Sequence, residues 1–556
     1  MKLRRGLAAA FLMALAVVLA SCGQSYDLEE VRARADEMYE RVLEAYYLSD
    51  SCGEELRMAE IVAEYDDLAD PELARYIARE RDRESDPREK KRLGFLYHDI
   101  VGTIVFDEIA EESEEITNIE AAGTVVVRGD TLPYRDVGVL FYNETDSGLR
   151  EDYYHAMGRF AAERTNPVRR RLIDRTRELL GRFGYEDLEA FEEERRSIDF
   201  GRFEATVEAF LEETDDIYRS LTDEASFEVF GTPAAEVADY DRGRIFRGAE
   251  YDVYFPAEGM MPLLRKTLLG LGIDLDELPM IAVDDEDRPG KEPRAACYSI
   301  RPGEDVRILM KPGGGASDYE TLFHEMGHAL HDAFVVVGEY EFQRLGDYGT
   351  TETYAFLPEG LISDEAFLVE HELVPDEKTR RGFLRNRLLA DLGTARYYAG
   401  LFSYERLLHR GGFSEDELTQ AYGRLMEAAR LCPLEHPEYG YLSSNEDFYG
   451  VNYLEAWFLT AQLRAALAER FGRDWWRSAA AGELLKDLWS YGSELSPNEV
   501  ARLLGFEGLD SAYYVREVRT KFERTAPGGR AAGTGFLERS SRAQADLPSS
   551  MSAVNR

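Results

Sequence analysis

The chain has 556 residues, 44% of them hydrophobic and 31% charged, a globular composition that excludes collagen-like, mucin-like, low-complexity and wholly disordered chains. Its 108 acidic against 66 basic residues leave a formal charge of −42 at pH 7; such a surface repels nucleic acid and anionic headgroups, so no nucleic-acid partner is expected. A chain this long predicts two or more packed units.

Lys2, Arg4 and Arg5 precede an apolar run from Leu7 to Ala20, which ends in Leu19-Ala20-Ser21-Cys22. A basic start, a short greasy segment and small residues at a cut site predict a secretory signal over residues 1–21. The run is shorter than the ~20 residues a spanning helix needs. The cysteine at the cut resembles a bacterial lipobox. That resemblance implies that Cys22 becomes the lipid-modified first residue of the mature chain. The body would then sit in the cell envelope on the extracytoplasmic side, periplasmic or outer membrane or the outer face of the cell membrane, touching lipid only through Cys22. The other cysteines, Cys52, Cys297 and Cys432, are too few for a disulfide framework or a cysteine zinc site; one bridge with an odd thiol left over is open.

From residue 22 to 230 the chain reads as an N-terminal helical region. Apolar spacing predicts helices over Leu28–Tyr47, Pro71–Ser85 and Pro167–Phe183, with Arg169-Arg170-Arg171 on a wet face. Residues 231–525 read as a second, catalytic region. Its texture changes near Leu278: Met280–Val283, Ala295–Ile300 and Asp305–Met310 predict short strands, the last two joined into a hairpin by Arg301-Pro302-Gly303-Glu304. Gly313-Gly314-Gly315 follows, and helical spacing resumes at Ser317. Residues 526–556 are rich in Gly, Ser, Ala and Arg and predict a disordered tail. The fold class expected is mainly α, with a small β-hairpin or sheet ahead of one helix.

That helix carries the chemistry. Ser317-Asp318-Tyr319-Glu320 reads as a capping box, and His324-Glu325-Met326-Gly327-His328 follows. Two histidines four apart share a helix face and both reach one zinc ion, and Glu325 stands beside the metal, where a general base for water belongs. Gly327 leaves room for a neighbouring element to pack close. A catalytic zinc wants one more protein ligand. Glu352, 24 residues past His328 on a predicted second helix, is the best candidate; Glu339, Glu341, Asp347 and Glu359 are rivals on spacing alone.

The run His324-Glu325-Met326-Gly327-His328-Ala329-Leu330-His331, its approach Arg307-Ile308-Leu309-Met310-Lys311-Pro312 and the downstream glutamates resemble the thimet oligopeptidase and oligoendopeptidase F family of zinc metallopeptidases. The resemblance extends from Leu28 to Arg524, with about 40 residues matching closely. It implies one zinc per chain held by His324, His328 and Glu352, with Glu359 matching a further family glutamate. It also implies a large helical ellipsoid split by a deep central channel that admits only short unfolded peptides. The strand Asp305–Met310 would pair with the substrate backbone as an edge strand. Tyr449 and Tyr453, four apart, match the family's oxyanion tyrosines. Asp447 departs from the pattern where relatives often carry a histidine, so the nearest histidine, His436, is the substitute considered. His331, one turn beyond His328, is expected either to contact substrate or second-shell carboxylates or to serve the structure.

The function expected is hydrolysis of peptide bonds in short peptides, by Glu325-assisted attack of water. Two alternatives remain at this point: a dipeptidyl carboxypeptidase of the angiotensin-converting type, and a lipid-tethered peptide-binding protein with an inert zinc site. The sequence leaves the oligomeric state open.

Overall fold

Residues 25–526 are described by a computed structural model; the signal segment, the lipobox Cys22 and the tail from residue 527 lie outside the described residues. The fold is mainly α: 71% helical, with 22 helices and two small sheets.

Caps set the first helices. In α1 (Leu28–Cys52) the Asp27 carboxylate accepts from the Glu29 amide, and Gly53 at φ 70 ends it. In α2 (Pro87–Glu108) Asp86 takes the amides of Arg88 and Glu89 behind a first-turn proline. The other two helices expected here run Pro71–Arg83 and Asn166–Gly181, each within two residues of its predicted end. Arg169, Arg170 and Arg171 are held by Glu120, Asp174 and Glu115 on the surface, as a wet face requires. The helical pattern is broken once where no strand was expected. A hairpin of β1 (Thr124–Val127) and β2 (Asp130–Pro133) turns at Arg128 and Gly129, both left-handed, as a tight hairpin turn demands.

Two helices then lead toward the centre, α3 (Leu188–Arg196) and α4 (Phe200–Phe230), the latter stopped by Gly231 at φ 76. The three predicted strands form as β3 (Ile281–Asp284), β4 (Ala296–Arg301) and β5 (Asp305–Leu309). Their order is β3-β5-β4, with β3 parallel and β4 antiparallel to β5. This corrects the expected edge strand: residues 305–309 are paired on both sides, because β3 adds in parallel to the side of β5 that the hairpin leaves open.

The rest is helical: α5 (Ala316–Ala333), α6 (Tyr348–Glu359), α7 (Glu377–Arg410), α8 (Tyr449–Phe471) and α9 (Ala512–Thr525). The break at 230/231 is not a break in the core. Val207, Phe210 and Leu221 of α4 pack in one cluster with Leu392 and Phe402 of α7, Phe458 of α8 and Tyr514 of α9. A second cluster wraps α5, from Phe323, Met326 and Leu330 to Ile308 of β5 and Leu459 and Leu463 of α8. Helix α8 belongs to both cores, so its position is fixed by the whole molecule. Cys52, Cys297 and Cys432 are all free thiols. No helix among the described residues is long and apolar enough to cross a membrane.

Candidate metal centre

Helix α5 starts differently from its sequence signature. The expected capping box does not form: the N-cap is Gly315, without a side-chain bond, and Ser317 lies inside the helix. Asp318 turns back to accept the Gly313 and Gly314 amides at 2.7 and 2.9 Å, and Asp252 accepts from the Ala316 amide. Glu320, freed from capping, pairs with Arg387 of α7 at 2.7 Å. The glycines are therefore a fixed approach. Gly315 has φ 96, and a Cβ there would stand 2.8 Å from the Asp252 carboxylate.

Helix α6 starts at Asp347, whose carboxylate accepts from the Gly349 amide, and lies hard against α5. A Cβ on Gly327 would stand 2.5 Å from the Tyr354 carbonyl and 2.6 Å from the Ala355 Cα, so only glycine lets the helices approach this far. That approach brings Glu352 to the two histidines. His324 Nε2 and His328 Nε2 are 3.1 Å apart, and Glu352 Oε2 is 3.4 Å from the first and 3.6 Å from the second. A tetrahedral ion with ligand bonds of about 2.0–2.1 Å separates its ligand atoms by about 3.3 Å. Glu352 is only 6% exposed, and its Oε2 has no hydrogen-bond partner. A buried carboxylate oxygen without a donor, facing two ring nitrogens, fits a divalent cation. These three residues are the one group of metal-ligand spacing found among the described residues. The rivals lie elsewhere: Glu341 pairs with Arg32 and Arg92, Glu339 with Arg88, and Asp347 caps α6.

Neither a protein-family model nor a curated protein matches this chain. The geometry has to carry the reading.

Glu359, two turns further along the same face of α6, holds His324 Nδ1 at 2.7 Å, which leaves Nε2 to face Glu352. Burial alone would lower the His324 pKa, but Glu352 and Glu359 together raise it to about 10; burial lowers that of His328 to about 4 against the pull of Glu352. Two carboxylates thus turn their negative charge toward the His324 ring. Glu325 accepts the Cys297 amide of β4; burial raises its pKa from the ordinary carboxylate value, with the positive charge on His324 opposing.

The centre opens into a cleft of about 570 Å³ lined by α5, α7 and α8, with His324, Glu325, Arg387, Tyr398, Tyr453 and Trp457 in its walls. A larger cavity, about 1100 Å³, contains none of the triad, so chemistry rather than size marks the site. Tyr449 donates to Glu352 Oε1 at 3.2 Å, and its ring meets Tyr453 edge-on at 5.3 Å. No local pattern marks Tyr398: it comes from α7, 55 residues before Tyr453, and touches its ring at 5.1 Å. Two expected residues are not in the cleft. His436 stacks on Tyr439 at 4.9 Å and meets His155 at 4.8 Å, with Glu438 on its Nδ1; the loop before α8 carries it to the N-terminal helices. His331 is 1% exposed and packs on Tyr354, because one turn beyond His328 the helix has rotated into the core.

Proposed function

We propose that the chain is a zinc-dependent metallopeptidase acting on short peptides, of the oligopeptidase type. The convergence of His324 Nε2, His328 Nε2 and the unpartnered Glu352 Oε2 within 3.6 Å carries this reading. Zinc bound there supplies Lewis acidity, for a water and for a peptide carbonyl. The residues of the chain do the rest. Glu325 takes a proton from the attacking water at its carboxylate and returns it to the leaving amine. Tyr453, and beside it Tyr398, present hydroxyls at the cleft wall, where charge develops on the carbonyl oxygen. Tyr449 and Glu359 hold Glu352 and His324 in place.

The cleft admits an extended segment but no folded domain. Backbone pairing belongs to the stretch Pro293–Ala295 that leads into β4 and lines the cleft. Further along β4 the outer edge is taken: Arg344 donates to the Ser299 and Ile300 carbonyls at 3.1 and 2.8 Å, and Glu325 takes the Cys297 amide.

A quenched fluorescent peptide library with zinc-loaded protein tests the proposal. Internal cleavage is expected, abolished in Glu325→Gln with zinc content unchanged. Release of C-terminal dipeptides alone would move the assignment to the carboxypeptidase reading. Zinc bound with no cleavage would favour a peptide-binding protein.

A further inference from the structure

Tyr449 reaches Glu352 because of the turn that precedes it. Asp447 and Phe448 both have left-handed backbones, φ 51 and 65, and neither is glycine. Side-chain-bearing residues rarely hold that conformation unless their surroundings impose it. Phe448 is also the N-cap of α8 and offers no side-chain cap. Two buried polar side chains from other helices supply what the turn lacks. Glu405 of α7, 1% exposed, accepts the Glu446 amide at 2.6 Å and the Phe448 amide at 3.2 Å. Arg196, the last residue of α3 and 4% exposed, donates to the Phe448 carbonyl at 3.2 Å and to the side-chain oxygen of Asn452 one turn into α8. Glu192 holds the arginine in turn, at 2.8 Å. The Phe448 ring fills the space between Phe200 and Phe402. The first turn of α8 is thus gripped on its amides by one helix and on its carbonyl by another.

We infer that Arg196 and Glu405 are positioning residues: they clamp the turn 446–448 so that the Tyr449 hydroxyl bonds Glu352 Oε1 and leaves Oε2 for the metal. Neither residue touches the centre. They act through Tyr449, and α3 belongs to the N-terminal region, so that region takes part in setting the geometry of the third ligand. The inference rests on His324, His328 and Glu352 being metal ligands, but its test does not require the chain to cleave peptides.

The full chain loaded with cobalt(II) reads it, since the visible absorption of cobalt follows ligand geometry. Tyr449→Phe should shift that spectrum and weaken cobalt binding about tenfold, as loss of an outer-shell partner does. Arg196→Met should produce the same shift, and the double variant Arg196→Met/Tyr449→Phe no further one. Arg196→Lys, which keeps the charge but spans fewer acceptors, should fall between. A wild-type spectrum in Arg196→Met, or additive shifts in the double variant, would overturn the clamp. If Arg196→Met does not fold, Asn452→Ala removes the acceptor from the other side and should give the same shift; an unchanged spectrum there also overturns it. Failure of the wild type to bind cobalt would remove the metal reading and the clamp together, whereas cobalt binding without peptide cleavage would count against the peptidase alone.

Discussion

Glu352 and Glu359 sit seven residues apart on one helix and do different work. The first presents a free oxygen to two imidazoles; the second fixes one imidazole through its far nitrogen. Removing each should therefore differ in degree. Glu352→Ala should all but abolish zinc binding, whereas Glu359→Ala should weaken it about 10–100-fold, both read by equilibrium dialysis against a zinc indicator. The same logic separates Tyr453 from His436. Tyr453→Phe removes a hydroxyl at the cleft wall and should lower kcat on the order of 10²-fold with KM little changed. His436→Ala should leave both constants at wild-type values, since that ring lies among Tyr154, His155 and Tyr439. Residue chemistry was readable in the spacing of His324, Glu325 and His328, because one helical turn decides it. The choice of Glu352 over Glu339, Glu341, Asp347 and Glu359 was not, because all five are acids within reach along the chain and only packing tells them apart.

Between elements, the decisive contact is α5 against α6. It is permitted by a single missing side chain, at Gly327, whose Cβ would meet backbone atoms of Tyr354 and Ala355 at 2.5–2.6 Å. Backbone cannot swing aside as a flexible side chain can. Gly327→Ala should therefore push α6 off α5, lowering stability by about 1–3 kcal/mol as overpacking does and weakening zinc binding in parallel. Thermal unfolding of the apo and zinc-loaded forms would check both, with the zinc-dependent gain in Tm smaller than in the wild type. Strands β3, β4 and β5 were predicted to within a residue, and the hairpin of the last two with them, because alternation and a Pro-Gly turn are local signals. Which of them lies at an edge was not local. The β3-β5 pairing joins residues 25 positions apart in parallel, and nothing in either strand announces it. The capping box failed for a related reason: Asp318 found two loop amides and Glu320 found Arg387, partners that exist only once the chain has folded.

Across the whole molecule, α8 ties the N-terminal helices to the metal centre through a buried ionic group, Glu192 with Arg195 and Arg196. Burial would raise the Glu192 pKa, but the two guanidiniums lower it from 4.5 to about 2. A carboxyl whose folded pKa is depressed stabilises the fold fully above its unfolded value and loses that contribution as pH falls toward the folded one. Glu192→Gln should therefore lower Tm at pH 7 and make it less sensitive to acid between about pH 4.5 and 2, measured by thermal melts across that window. Over longer range, a chain of −42 repels itself; raising salt at pH 7 should raise Tm by screening that repulsion. The sequence alone determined the helical class, the three strands ahead of α5 and the pair of histidines with their glutamate, since periodicity, turn residues and one-turn spacing are properties of neighbouring residues. Tertiary structure alone decided that β5 is paired on both sides, that the cores cross the break at 230/231, and that Tyr398 joins the cleft while His436 leaves it. Those outcomes depend on how distant segments pack, and packing distance is not written in sequence distance.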